Sequence, residues 1–196
     1  MRLEATRWSH YYWAQSSQML EDRQLFPEDG LFWENYCFRT LLAYGCMPGQ
    51  ARELAPPLFH YMQEEYNPSD FVPPDVPGTL ENLLEAGFRL AMLSNRSQTY
   101  EEELVTLGLA GYFEFALAAG EVDVWKPDPW IFRYALNRLG TQPGETLYIG
   151  DNYYADVIGA QRAGLEPILV DPSGVFPEVE CTVIHNISEL CELLDQ

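Results

Sequence analysis

Basic residues are scarce in this sequence: 11 Lys plus Arg stand against 30 Asp plus Glu, a formal net charge of -19. A surface of that sign repels phosphodiester backbones and anionic lipid, which argues against non-specific binding to nucleic acid or membranes. It also repels a phosphorylated small molecule unless a cation and local donors reverse the sign at the site. The four cysteines, Cys37, Cys46, Cys181 and Cys191, show no CxxC spacing and no histidine cluster beside them. That pattern favours free thiols in a reducing compartment over a disulfide framework or a zinc centre, and a cytoplasmic location is expected. No stretch approaches the ~20 apolar residues of a membrane span, and the opening MRLEATRWSHYYW lacks the apolar core of a secretion signal. What is plentiful is apolar and aromatic matter. At 47% and 14% of 196 residues, it suffices for a packed domain with a small appendage.

Two regions follow different periods. From the start to about residue 70, the segments LEATRWSHYYWAQSSQMLEDR, GLFWENYCFRTLLAYGC and GQARELAPPLFHYMQEEY carry apolar residues at three- and four-residue spacing, so helices are predicted throughout. Breaks fall at Phe26-Pro27-Glu28-Asp29-Gly30 and at Gly45-Cys46-Met47-Pro48-Gly49. Pro56 and Pro57 predict a kink or split in the third helix. The rings of Trp8, Tyr11, Tyr12, Trp13, Phe32, Trp33, Tyr36 and Phe38 suit the core of a helical bundle. A hinge is expected over residues 67–74. Beyond it, short apolar runs alternate with helical ones: PGTLENLLEAG, FRLAMLSN, QTYEEELVTLGL, FEFALAAG, PWIFRYALNRLG, ETLYIGD, YYADVIGAQRAG, EPILVDP, TVIHN and finally ISELCELLD. That alternation predicts an α/β domain, a Rossmann-like parallel sheet with helices on both faces. Ligands in such sheets sit outside the carboxyl ends of the strands.

Three strand ends carry polar residues. FRLAMLSN ends in Ser94 and Asn95, where a hydroxyl and free backbone N–H groups would form an anion-binding corner; the same hydroxyl would equally suit a helix cap. In EVDVWKPDP, Pro127 and Pro129 stiffen the backbone around Lys126 and aim the ammonium. In YIGDNYYAD, Asp151 follows the strand at once and Asp156 lies near the first turn of the next helix. Two hard oxygen ligands that leave room for water suit Mg²⁺, although acids at a helix start also satisfy the helix dipole.

Together, LSN, KPDP and GDNYYAD on successive strand ends resemble the second, third and fourth motifs of the haloacid-dehalogenase-like hydrolases, chiefly their phosphatases with a helical cap. The likeness covers residues 72 to about 172. It implies that Ser94, Asn95 and Lys126 bind the transferred phosphoryl group, with Ser94 and Lys126 serving catalysis, and that Asp151 and Asp156 help hold Mg²⁺. The substrate implied is a small phosphorylated metabolite. Residues 1–71 then correspond to part of the cap and residues 72–196 to the core.

The first motif of that family, an apolar strand ending in Asp-x-Asp-x-Thr whose first aspartate attacks, has no counterpart here. Asp75-Val76-Pro77-Gly78-Thr79 is a partial echo that follows two prolines rather than a strand, so Asp75 reads as a helix cap. The resemblance therefore implies hydrolase ancestry with crippled catalysis. It also implies a sheet missing its central strand, with two facing edges about 10 Å apart between the strands ending in Ser94 and Asp151. Either something fills or closes that gap, or the open edges promote self-association. A non-catalytic module that binds phosphate and metal is the alternative reading. A phosphoacceptor receiver domain ranks behind both, because its acids would precede its hydroxyl and lysine.

Overall fold

The computed structural model describes residues 2–194, and its chain divides between Ser69 and Asp70 into two compact units. Among the residues assigned expectations above, Met1, Asp195 and Gln196 lie outside the described range.

The first unit is all helix: α1 (Arg2–Trp13), α2 (Ser17–Leu25), α3 (Asp29–Ala43) and α4 (Pro48–Glu64). Ser16 caps α2, its Oγ accepting the Met19 N–H at 3.1 Å. Pro48 opens α4, where a missing N–H goes unfelt. Of the kink or split expected at Pro56 and Pro57, the split does not occur, since α4 runs continuously through both. Both prolines lie on the exposed side, as do Arg52 and Glu53, whose carbonyls lose a helical donor and can turn to water, while Ala51 and Ala55 are buried on the other side. Tyr12, Met19 and Phe32 form the core, with Trp8, Trp13, Phe26 and Tyr36 packed around them. Trp13 and Tyr36 stand 5.0 Å apart between ring centroids, and Trp8 and Tyr12 5.1 Å apart. The aromatic richness is thus core, although Tyr11 and Trp33 stay well exposed.

The second unit is α/β. In order it runs α5 (Asp75–Glu85), β1 (Met92–Ser94), α6 (Glu101–Thr106), β2 (Ala116–Ala118), α7 (Ala119–Val122), α8 (Pro129–Leu139), β3 (Leu147–Gly150), α9 (Ile158–Ala163), β4 (Glu166–Val170), β5 (Thr182–Ile184) and α10 (Glu189–Leu194). A π-helical turn, Tyr153–Val157, leads into α9. All the strand pairs are parallel, as the alternation of runs predicts. Asp75 is the first residue of α5, not its cap; Pro74 holds that position without a side-chain bond.

The strands form two separate sheets, β1–β2 and β3–β4–β5. No strand among the described residues joins β1 to β3, and the two do not pair with each other. Burial follows this division. Every residue of β2 is buried, as are the central three of β4, whereas β1 and β3 contain no fully buried residue at all. Helices cover both faces. On one face Ala91, Leu93 and Tyr148 pack with Phe132 of α8, and on the other Leu90, Leu147 and Ile149 pack with Leu83 and Leu190.

The first unit also carries one fully buried charge. Asp22 has no exposed surface, and its oxygens accept from Arg39 Nε at 2.5 Å, Arg39 Nη2 at 2.6 Å and the Tyr12 hydroxyl at 3.0 Å. Burial is the main reason the Tyr12 phenol is pushed far above its usual value, with Asp22 adding to it. Removing the carboxylate leaves a half-buried guanidinium and a buried hydroxyl without an acceptor. Asp22→Ala is therefore expected to destabilise the helical unit by about 3 kcal/mol, seen as a lower urea midpoint. A midpoint unchanged from wild type would show that the pair contributes nothing.

Candidate functional site

Lys126 is the only lysine among the 196 residues, and it is buried to 7% exposure. Its backbone is clamped to the end of β1 by Asn95, whose Oδ1 accepts the Lys126 N–H at 2.7 Å and whose Nδ2 donates to the Lys126 carbonyl at 2.9 Å. The Lys126–Pro127 peptide is cis. The ammonium then meets three acceptors, one for each proton: Asp156 Oδ1 at 2.6 Å, the Tyr148 hydroxyl at 3.0 Å and the Leu93 carbonyl at 3.2 Å. The cation thus ties the end of β1, the strand β3 and the π-helical turn to one point.

Asp156 is buried to 3%. Its second oxygen accepts the Asn152 N–H at 2.9 Å, while Asn152 Oδ1 accepts the N–H groups of Tyr154 and Ala155 at 3.1 Å. Gly150 makes this possible, because a Cβ there would stand 2.5 Å from the Asp156 carboxyl carbon. Tyr148 also donates towards Asp156 Oδ1 at 3.2 Å. The low-dielectric surroundings of its hydroxyl push that phenol well above its usual value, and the negative charge of Asp156 adds to this, so Tyr148 stays protonated at neutral pH.

The residues expected from sequence fall out as follows. Lys126, Asn95 and Asp156 are interlocked by the bonds above, and Ser94 is the last residue of β1, between Leu93 and Asn95. Ser94 does not sit at a helix start, since α6 begins only at Glu101 and its first turn carries Glu101, Glu102 and Glu103. Any anion corner there rests on the loop after β1, with no help from a helix dipole. The side-chain amide of Asn95 is engaged at both ends by the Lys126 backbone. Asp151 is exposed at the end of β3. Asp171, the acid following β4, has both oxygens occupied by the N–H groups of Val175 and Phe176 at 2.8 Å.

Among the described residues no group of three or more His, Cys, Asp or Glu side chains converges as a metal site. With Asp156 held by Lys126 and Asn152, the uncommitted carboxylate at this edge is Asp151. A single carboxylate with open surroundings fits Mg²⁺, which keeps waters and takes substrate oxygens, as a partial site only. Two features escaped the sequence reading. That Lys126 has no duplicate was visible but unused, while Tyr148 looked like one more apolar strand residue, and nothing local marks its hydroxyl as a bridge.

The family profile for haloacid dehalogenase-like hydrolases matches residues 45–164. A phosphoserine phosphatase from Thermus thermophilus is 37% identical over 150 residues, 76% of this chain and 58% of that protein. Haloacid dehalogenase-like hydrolase domain-containing protein 3 from Bos taurus is 30% identical over 187 residues, 88% of this chain and 74% of that protein. Among solved structures, a 2-haloacid dehalogenase from Pseudomonas syringae pv. Tomato DC3000 aligns with a TM-score of 0.59 at 30% identity, covering 89% of this chain and 77% of that one. The chain spans about three fifths of the length of the first curated relatives it matches. These likenesses, together with the interlocked strand ends, establish that the chain belongs to the haloacid dehalogenase-like hydrolase family.

Proposed function

We propose that the second unit carries the phosphate- and cation-binding part of a Mg²⁺-dependent phosphoric monoester hydrolase for a small phosphorylated metabolite. The observation that carries this reading is the buried ammonium of Lys126 at the carboxyl edge of a parallel sheet, in a chain otherwise strongly acidic. A dianion approaching a surface of net charge -19 needs local positive charge. Lys126, the loop donors after Ser94 and a cation on Asp151 would together supply it. Names among the relatives, a phosphoserine phosphatase and a glyceraldehyde 3-phosphate phosphatase, support a phosphate ester over a halide.

Each residue then has a defined task. Ser94 and the adjacent backbone donate to the phosphoryl oxygens, and Lys126 neutralises charge that builds on them. Asp156 and Asn95 hold Lys126 in place. Asp151 would ligate Mg²⁺, which supplies charge neutralisation at the phosphoryl oxygens when bound. The attacking group is another matter. Asp156 is engaged by Lys126 and Asn152, and assigning Asp151 to the metal leaves no carboxylate of this site to attack phosphorus. Residues 2–194 are therefore read as impaired in turnover on their own. Residues 1–71 are read as part of a helical cap, and the free thiols support a reducing, cytoplasmic setting. No helix of the described residues is long and apolar enough to cross a membrane.

The test joins binding to turnover. Calorimetry with Mg²⁺ and inorganic phosphate is expected to show phosphate binding that strengthens with Mg²⁺, together with negligible hydrolysis of an aryl phosphate. Asp151→Ala is expected to remove the Mg²⁺ dependence while leaving the fold intact. Unchanged Mg²⁺ affinity in that variant would count against the metal assignment. A second substitution probes the frame: Gly150→Ala forces the Asp156 carboxylate to move, so phosphate affinity should fall about tenfold, the effect of losing one charge-assisted bond. Full affinity in Gly150→Ala would mean that Asp156 does not position Lys126. Robust turnover by the unmodified chain would overturn the impaired reading.

A further inference from the structure

The turn that joins α3 to α4 is short, residues 44–47, so the two helices pack side by side in opposite directions. Near that turn Ala51 and Ala55 are buried, and their small side chains let α4 sit close to its neighbours. Further along, a cavity of ≈ 430 Å³ opens between the helices. From α3, Trp33, Tyr36, Cys37 and Thr40 line it, spaced three and four residues apart on one helix face. From α4 come Leu58, Phe59 and Met62. The volume falls in the range of about 300–1,000 Å³ that holds a small organic molecule. Trp33 and Met62 remain exposed at 39% and 44%, so the cavity has a mouth open to solvent.

The lining restricts what can stay there. None of the lining residues is charged, so an ion inside would shed its hydration without gaining a partner. Burial pushes the Cys37 thiol above its ordinary value and the charge of nearby Glu34 adds to this, which keeps the sulfur neutral. Glu34 and the acidic chain as a whole repel an anion further. One polar group is left wanting. The Thr40 hydroxyl is buried and has no hydrogen-bond partner, a condition that buried polar groups rarely keep. A threonine in a helix divides between two χ1 rotamers, and rotation between them exchanges the hydroxyl with the methyl. The Thr40 hydroxyl can thus be turned to a group that enters the cavity.

We propose that the cavity between α3 and α4 binds a neutral, flat, mostly apolar small molecule whose single hydrogen-bonding group pairs with the Thr40 hydroxyl. Flat rings suit a space bounded by Trp33, Tyr36 and Phe59, because aromatic walls gain most from aromatic neighbours. Neutrality follows from a lining that offers no counter-ion to either sign of charge. The site lies wholly within the first unit. It stands apart from the phosphate-binding reading and holds whether or not the chain hydrolyses an ester.

The probe is phenylnaphthylamine, a neutral fluorophore with one N–H donor, titrated into the full chain. Its control is anilinonaphthalene sulfonate, the same ring system carrying one negative charge. Enhanced fluorescence is expected with the neutral probe, and binding at least about tenfold weaker with the sulfonate. Alkylation by a neutral maleimide, resolved by mass spectrometry, locates the bound probe. Saturation should slow the reaction at Cys37, with Cys181 and Cys191 of the second unit as internal references. Thr40→Val keeps the shape and removes the hydroxyl, so the probe should bind about tenfold more weakly, the effect of one lost hydrogen bond. The thermal midpoint of that variant should stay at or above wild type, because an unpaired polar group is gone. The proposal fails if the neutral probe does not bind, if the sulfonate binds equally, or if Cys37 reacts as fast at saturation. It fails equally if Thr40→Val leaves the affinity unchanged or lowers the midpoint. A dimer in sedimentation that the probe does not dissociate would also overturn it, since a second copy would then cover the cavity. Every readout is binding or stability, so an inactive hydrolase and an empty cavity give different results.

Discussion

The ammonium of Lys126 holds the α/β unit's functional edge together. An ion of that kind, removed from water, is tolerated only when its protons all meet acceptors. Here they meet a carboxylate, a phenol and a peptide carbonyl, contributed by the π-helical turn, β3 and β1. Much of the local chain is arranged to keep those acceptors in reach. Asn95 locks the lysine backbone to the loop after β1, Asn152 folds the π-helical turn that delivers Asp156, and Gly150 leaves the space that Asp156 fills. Each of these residues is polar or small for a reason that lies in the geometry around one cation. The strongly acidic composition sharpens the point, because a lone buried ammonium is a large local departure from the field of the rest of the molecule.

The same arrangement explains how the unit tolerates a divided sheet. The two half-sheets exchange packing partners through their helices. Leu90, in the lead-in to β1, packs with Ile168 and Ile184 of the other sheet, and Tyr148 of β3 packs into the cluster that holds Leu117 of β2. The ring of Tyr148 stands edge-on to Phe132 at 4.8 Å between centroids. Hydrophobic contacts on both faces thus span the parting, while Lys126 and Tyr148 close its carboxyl end with hydrogen bonds. β1 and β3 are only partly buried, unlike β2 and the centre of β4.

Much of this was legible in the sequence, and for identifiable reasons. Period and punctuation mark elements well when they are long, so the helical character before residue 70 and the parallel α/β alternation after it could be read directly, although the first of the three expected helical segments divides into α1 and α2. Lys126, Asn95 and Asp156 stood out because polar residues at the ends of apolar runs have few structural excuses, but the pairing of Asp156, expected to help hold Mg²⁺, with Lys126 was not read. The misreadings share a cause. Pro56 and Pro57 suggested a kinked or split helix, and the split is absent because sequence does not say which side of a helix faces water, and both prolines lie on the wet side. The Ser94 corner was expected to borrow a helix start, but the chain spends six residues in a loop before α6. Tyr148 was invisible because its role depends on a carbonyl 55 residues away. Contacts of that range are set by tertiary packing, to which local pattern is blind.

The division of labour between Asp151 and Asp156 follows from burial rather than from residue type. Both are aspartates on one short loop, yet one is 3% exposed and clasped by a lysine while the other faces solvent. A buried carboxylate already neutralised by an ammonium at 2.6 Å gains little from a hydrated divalent ion, because binding it would mean surrendering that contact or crowding two cations against one charge. An exposed carboxylate gives up only water. The loop therefore carries one carboxylate committed to Lys126 and one exposed to solvent, the exposed one following directly on β3.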